Sequence, residues 1–259
     1  LVILGVALIS VLRNWANNPY GLEPERLGPK EDETLPPIVA VRNAKNYLLY
    51  PAHDKNSYVI HLALPNHYIH ESNTTSQILK SYSVSASMYY PELNGKFHPD
   101  NANLPNCNGY CGGYVRAVIE PNQDTTHVMN ARVLERVGLD RQQANPLLKF
   151  EDLDPEFGID EHFQIRYPAI EAKSKGAKGS TEEYLIKRDG NGEVEYVFEC
   201  SPYAPSPACG VRFNLSSRPE LVVDIRFGRD LMPNWQNIIH SVDAKIASWG
   251  PTRIETANK

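Results

Sequence analysis

Residues 183–227 read EYLIKRDGNGEVEYVFECSPYAPSPACGVRFNLSSRPELVVDIRF. Glu183 to Lys187 and Glu193 to Glu199 flank Asp189-Gly190-Asn191-Gly192, a hairpin signal because Gly and Asn accept the positive φ that a tight turn needs. A strand at Val211–Leu215 follows, then Ser216-Ser217-Arg218-Pro219, then Leu221–Phe227, in which Leu221, Val223, Ile225 and Phe227 share one face. The stretch predicts a four-stranded antiparallel meander. Cys200 and Cys209 fall at the facing ends of its second and third strands, where a disulfide would staple a Pro-rich connection, Ser201 to Ala208, that is too long for a tight turn.

After Gly228 the apolar period changes from two to about 3.6. Leu231, Trp235, Ile238, Ile239, Val242, Ile246 and Trp249 form one stripe, so an amphipathic helix is expected to pack on the sheet. Asp230 is the expected N-cap, Pro233 is tolerated in the first turn, and Gly250-Pro251 stops the helix. His240 lies off the stripe and faces solvent on this reading. The fold class expected is α+β, mainly antiparallel β-sheet with a C-terminal four-stranded meander and a packed C-terminal amphipathic helix.

Upstream, Ser57–Leu64 reads as a strand bounded by Lys55-Asn56 and Pro65-Asn66. From Leu79 to Tyr89, Tyr82, Val84, Ala86 and Met88 alternate with Ser81, Ser83, Ser85 and Ser87, the pattern of a strand with one buried and one wet face. Tyr114 to Glu120 is another strand, a short helix is readable around Val128 to Val137, and a strand around Phe163 to Tyr167. Between these the acidic run Glu151-Asp152-Leu153-Asp154-Pro155-Glu156 and the Lys/Gly-rich stretch 173–179 read as loops.

Residues 1–12 are apolar apart from Gly5 and Ser10, and Arg13-Asn14-Trp15 follows at once. That run has no polar face to turn toward water, and it reads as an uncleaved membrane anchor or the remnant of an export signal. Residues 17–37 carry Pro24, Pro29, Pro36 and Pro37 among Gly, Glu and Asp, the composition of a flexible stem. The organisation expected is an anchor or signal remnant at 1–16, a stem at 17–37, an envelope-exposed β-rich domain at 38–250 readable as two lobes (38–137 and 160–250), and a tail at 251–259.

At 259 residues, 41% hydrophobic and 22% charged, the chain has a globular composition. A net charge of −5 and a pI near 5.9, without a run of basic residues, give no electrostatic footprint for nucleic acid or anionic lipid. Four cysteines, Cys107 and Cys111 in Cys-Asn-Gly-Tyr-Cys and Cys200 with Cys209, allow three pairings, of which the local one is simplest. Four thiolates on zinc would be an alternative, but intervals of three and eight residues do not match two-residue knuckles. Behind an export segment, disulfides suit the compartment.

Phosphate loops, dinucleotide fingerprints, nucleophile elbows and zinc helices are absent from the sequence. His61, His67 and His70 lie close in sequence but read as surface histidines near a strand end, and the acidic run lacks the Gly-centred spacing of a calcium loop. Three residues, not two, separate Cys107 from Cys111, which read as a staple, not a redox pair. No catalytic, cofactor or metal residue is assigned.

The layout resembles the periplasmic, membrane-anchored immunity proteins of type VI secretion effector–immunity pairs. The matching pieces are the N-terminal anchor and stem, Tyr58-Val59-Ile60-His61-Leu62 leading through Pro65 to Tyr68-Ile69, and Met88-Tyr89-Tyr90-Pro91-Glu92-Leu93. The end of the chain adds Cys200, Cys209, Val211-Arg212-Phe213, Leu221 to Phe227, and Leu231 with Trp235, Ile238 and Val242. The resemblance touches most of the chain after residue 57, its motifs are structural, and Cys107 to Cys111 has no counterpart in it. It implies a non-catalytic protein at the inner membrane that blocks a cognate toxic effector in the periplasm. The contact residues expected here are Tyr110 and Tyr203 on stapled loops and Glu151, Asp152, Asp154 and Glu156 on the acidic loop. A structural component of the envelope or of a secretion machine, and an envelope glycan or lipid hydrolase, are the alternatives.

Overall fold

The structure, a computed structural model, describes residues 40–51, 58–69, 78–96, 110, 112–122, 130, 134–135, 138, 148–167, 181–204 and 206–255. Their strands are β1 (Ala44–Leu49), β2 (Tyr58–Pro65), β3 (Ile78–Ser81), β4 (Val84–Tyr89), β5 (Asn94–Gly95), β6 (Tyr114–Pro121), β7 (Lys149–Leu153), β8 (Glu161–Arg166), β9 (Thr181–Arg188), β10 (Val194–Ser201), β11 (Ala208–Asn214), β12 (Leu221–Gly228) and β13 (Thr252–Glu255). A 3-10 turn at Arg229–Asn234 leads into helix α1 (Trp235–Ser248). The described residues all fall within one compact unit. The hydrophobic segment, the whole of the stem, Cys107, Cys111, His70 and the stretch 173–179 lie outside the described residues.

The meander is present as β9 to β12, and its first turn closes as read. Asp189 Oδ1 accepts the N–H of Asn191 (2.8 Å) and of Glu193 (2.9 Å), and Gly192 takes φ +85°. The four strands do not stand alone, however. They lie within a nine-stranded sheet ordered β5-β4-β6-β12-β11-β10-β9-β8-β7, and a second sheet of four is ordered β13-β2-β1-β3. The extension follows from inward faces that match. Val115, Ala117 and Ile119 of β6 are buried, as are Val84, Ala86 and Met88 of β4. Ala117 faces both Ile225 of β12 and Ala86 of β4. Every pairing is antiparallel except β1 with β3.

One core joins the inner face of the large sheet to α1 and to Leu49, Ile60, Leu62 and Leu64 of the small sheet. A second cluster, Phe163, Ile165, Tyr184, Ile186 and Val197, lies on the outer face of the β8–β10 end, with Leu134 and Leu148 packed against it. Asn130, Leu134, Glu135 and Gly138 are helical, within or next to the span read as a short helix.

Three expectations need correction. The regular alternation from Leu79 to Tyr89 is two strands in different sheets. Ser81 Oγ donates to the Ser83 carbonyl at 2.6 Å, a local turn that competes with the ladder and lets the chain cross over. The acidic run is not wholly a loop, because Glu151 and Asp152 belong to β7, paired with Gln164 and Phe163 of β8. Charge is tolerated there because β7 is an edge. Asp230 does not cap the helix. Pro233 falls inside the 3-10 turn, α1 begins at Trp235, and Asn234 is its N-cap. β13 falls within the stretch read as a tail, and pairs with β2.

The predicted stripe does face the core: Trp235, Ile238, Ile239, Val242 and Ile246 are buried. Asp243, on the same helix, accepts hydrogen bonds from the N–H of Ser216 (2.9 Å) and of Ser217, and from both serine hydroxyls. It ties α1 to the β11–β12 turn. Burial pushes the Asp243 carboxyl up, but the four donors outweigh it and hold the group below its ordinary 3.8. Asp243→Ala is expected to cost about 2–3 kcal/mol at pH 7 in urea unfolding, the range for a hydrogen-bonded charge. A depressed carboxyl lends stability above its unfolded pKa and loses it on acidification, so the deficit should shrink as pH falls below 3.8.

Candidate functional site

The two cysteines of the meander are directly opposite in the β10–β11 register and form a disulfide, with their Cα atoms 4.0 Å apart. Both sulfurs belong to the main core, where Cys200 is 2% and Cys209 1% exposed. The loop they close projects from the end of the sheet. Its Tyr203 is 48% exposed, whereas its base is fixed: the Tyr110 N–H donates to Ser206 Oγ (2.7 Å) and the Arg229 N–H donates to the Pro207 carbonyl (3.0 Å).

Arg229 then turns its side chain onto Glu183, a β9 residue on the inner face beside Cys200. Arg229 Nε donates to Glu183 Oε2 at 2.7 Å and Nη2 to Oε1 at 2.6 Å. His162 Nε2 meets the same Oε1 at 2.7 Å, and its Nδ1 meets the Asp154 carbonyl at 2.9 Å. Burial pushes the Glu183 carboxyl up, but the hydrogen bonds and charges of Arg229 and His162 outweigh it, and the net direction is down. The Glu183 hydrogen bond in turn holds the guanidinium more firmly protonated, with Glu156 and Tyr203 adding to the effect. Glu156 reaches within 3.9 Å of Arg229 Nη2. With both oxygens engaged by the Arg229 guanidinium, Glu183 serves as an anchor, not as a base.

The structure therefore gathers Tyr110, Asp154, Glu156 and Tyr203 around the stapled loop and Arg229. It does not bring Glu151 and Asp152 there. They lie on edge strand β7, three strands from β10, about 14 Å at the usual spacing. Tyr110 is half-buried, with its ring 5.7 Å from that of Tyr114. Glu183, His162 and Arg229 were not singled out from the sequence. The signal available was an acid at an inward position of β9, between Thr181 and Leu185, which demands a buried cation. His61 hydrogen-bonds Asn46 at 3.1 Å, and His67 lies in a 3-10 turn. Among the described residues no cluster of His, Cys, Asp or Glu is arranged to hold a metal ion.

The outer face of the large sheet changes character along its width. Beyond the apolar end at β8–β10 it carries Glu199, Gly210, Arg226, Arg116 and Ser87 in one cross-strand row. The neighbouring row holds Arg212, Asp224, Val118 and Ser85. Arg212 pairs with Glu120 at 2.7 Å. Surrounding protein pushes the Glu199 carboxyl up to about 7, with Glu182 and Asp224 adding repulsion and Arg226 opposing it.

The fold defines a mostly antiparallel, two-sheet α+β protein with a disulfide-stapled loop at one end of the larger sheet. No protein-family model matches the chain, and no curated protein matches it. Among solved structures the chain is similar to an immunity protein of the Stenotrophomonas maltophilia type IV secretion system, at 10% identity and a TM-score of 0.46, over 83% of this chain and 98% of that one. Among the described residues no helix is long and apolar enough to cross a membrane.

Proposed function

We propose that the protein is an immunity protein, which binds a cognate toxic effector in the periplasm and neutralises it without catalysis. In this reading the segment 1–16 holds it at the inner membrane, the stretch 17–37 is its stem, and the system it serves is a type VI secretion pair. The observation that carries the proposal is the stapled loop: an aromatic, Tyr203, exposed at 48% on a connection closed at both ends by a buried disulfide. A side chain held this way loses little entropy when it enters a partner's cleft. Glu156 and Arg229 beside it offer charges of both signs for complementary contacts. The resemblance to periplasmic immunity proteins supports the same reading.

The test is co-expression, in the periplasm, with the product of the neighbouring gene. The protein is expected to co-purify with that product and to restore growth. Tyr203→Ala should weaken the complex at least about tenfold while the melting temperature stays within about 1 °C, as for an exposed surface position. Absence of both binding and protection would end this reading.

A further inference from the structure

Arg226 of β12 and Arg116 of β6 are directly opposite each other in the antiparallel register. Like charges in that position repel and destabilise a sheet. Among the described residues neither guanidinium has an ion-pair partner; Arg116 Nη2 donates a long hydrogen bond, 3.3 Å, to Ser85 Oγ, and its guanidinium also hydrogen-bonds the Tyr110 hydroxyl. The Arg226 side chain leans over Gly210, with its Cγ 3.5 Å and its Nε 3.8 Å from where a Cβ there would stand. The row continues into Gly210 on one side and Ser87 on the other, so no large side chain stands beside either arginine in its row. Both arginines are exposed. Asp224 and Glu199 share the face; Arg226 acts on both and Arg116 acts on Asp224, but neither carboxylate forms an ion pair with either arginine.

A repulsive pair placed where substitution would relieve it invites a ligand that supplies the missing negative charge. We infer that Arg116 and Arg226 form a carboxylate-binding site on the outer face of the nine-stranded sheet, which receives an acidic side chain of the protein partner. Both guanidiniums act on the Tyr110 hydroxyl, and two that converge there match a carboxylate in charge and in planar, multidentate geometry. The patch also adjoins the surface assigned above. The Arg116 guanidinium lies beside the Tyr110 hydroxyl, and the Tyr110 backbone is bonded to Ser206 of the stapled loop. A partner that covers Tyr203 and Tyr110 reaches the arginines next. The inference rests on the toxin-binding reading for the identity of the occupant.

The test uses the full chain with arginine labelled in its side-chain nitrogens, titrated with a hexaglutamate peptide and, separately, with inorganic phosphate. The peptide is expected to shift the Nε–H resonances of Arg116 and Arg226 before those of Arg188, Arg218 or Arg253. The double substitution Arg116→Ser and Arg226→Thr should abolish the peptide's effect and raise the melting temperature by about 1–3 °C, because a repulsion is removed. A structural role for the pair would instead lower it. Shifts spread evenly over all exposed arginines, a response to phosphate without one to the peptide, or a destabilised double variant that still binds would each overturn the site. If the double variant still binds the neighbouring gene's product with undiminished affinity, the carboxylate site fails while the immunity reading stands. If the wild type gives neither binding nor protection, the immunity reading fails whatever the peptide does.

Discussion

Replacing both Cys200 and Cys209 with alanine is expected to lower the melting temperature by about 5–10 °C. The sequence separation of the bridged pair is nine residues, and closing a loop of that length removes about 2–3 kcal/mol of chain entropy from the unfolded state. The staple also fixes what lies beyond it. Ser206 holds Tyr110, and Pro207 holds the backbone of Arg229, so opening the loop loosens two of the contacts that shape the proposed surface. Affinity for the partner should fall further in the double alanine variant than in Tyr203→Ala, although the Tyr203 side chain is intact. Thermal unfolding of the two proteins, with and without a thiol reductant, checks the first part. A variant that melts with the wild type would show that the bridge does not constrain the unfolded chain.

Arg229→Ala should be about as damaging, at about 3 kcal/mol. Removing one partner of a buried pair leaves a charge without compensation, a loss of about 3–5 kcal/mol. The lower end applies because the Arg229 side chain is 29% exposed while that of Glu183 is 3% exposed. The pH dependence should change sign. In the wild type the Glu183 carboxyl is held below its ordinary 4.5, so its share of stability is present above that value and is lost as pH falls through the lower folded pKa. In the variant burial is opposed by His162 alone, and the carboxyl moves up instead. Folding is then favoured by protonation, and the gap between variant and wild type should narrow as pH falls from 7 toward 4. Urea unfolding at those two values checks it. A gap of the same size at both values would show that His162 alone suffices to hold the carboxyl down.

The parts of the fold legible from sequence are those written in consecutive residues. Asp189-Gly190-Asn191-Gly192 determines a hairpin because its own side chain and glycine satisfy the turn. The spacing of Trp235, Ile238, Val242 and Ile246 determines a helical face because every member lies on one element. What escaped depends on partners far away. β6 joins the meander through pairs such as Ala117 with Ile225, and nothing near either residue announces the other. β7 escaped because its charges mask a strand whose pairing with β8 is made by backbone. The site divides in the same way. The loop bearing Tyr203 could be seen because two cysteines bracket it. The Arg229–Glu183–His162 cluster could not, because its members come from the 3-10 turn after β12, from β9 and from β8. Only the sheet brings them together.

The rigid loop, and with it the placement of Tyr203, Tyr110 and Arg229, depends on which sulfurs are joined. Thiol-blocked protein, prepared from the compartment where it works and digested without reduction, can be mapped by mass spectrometry. The account predicts that the peptides containing Cys200 and Cys209 are recovered linked to each other. Recovery of both as blocked thiols, or of either one linked to Cys107 or Cys111, would contradict it.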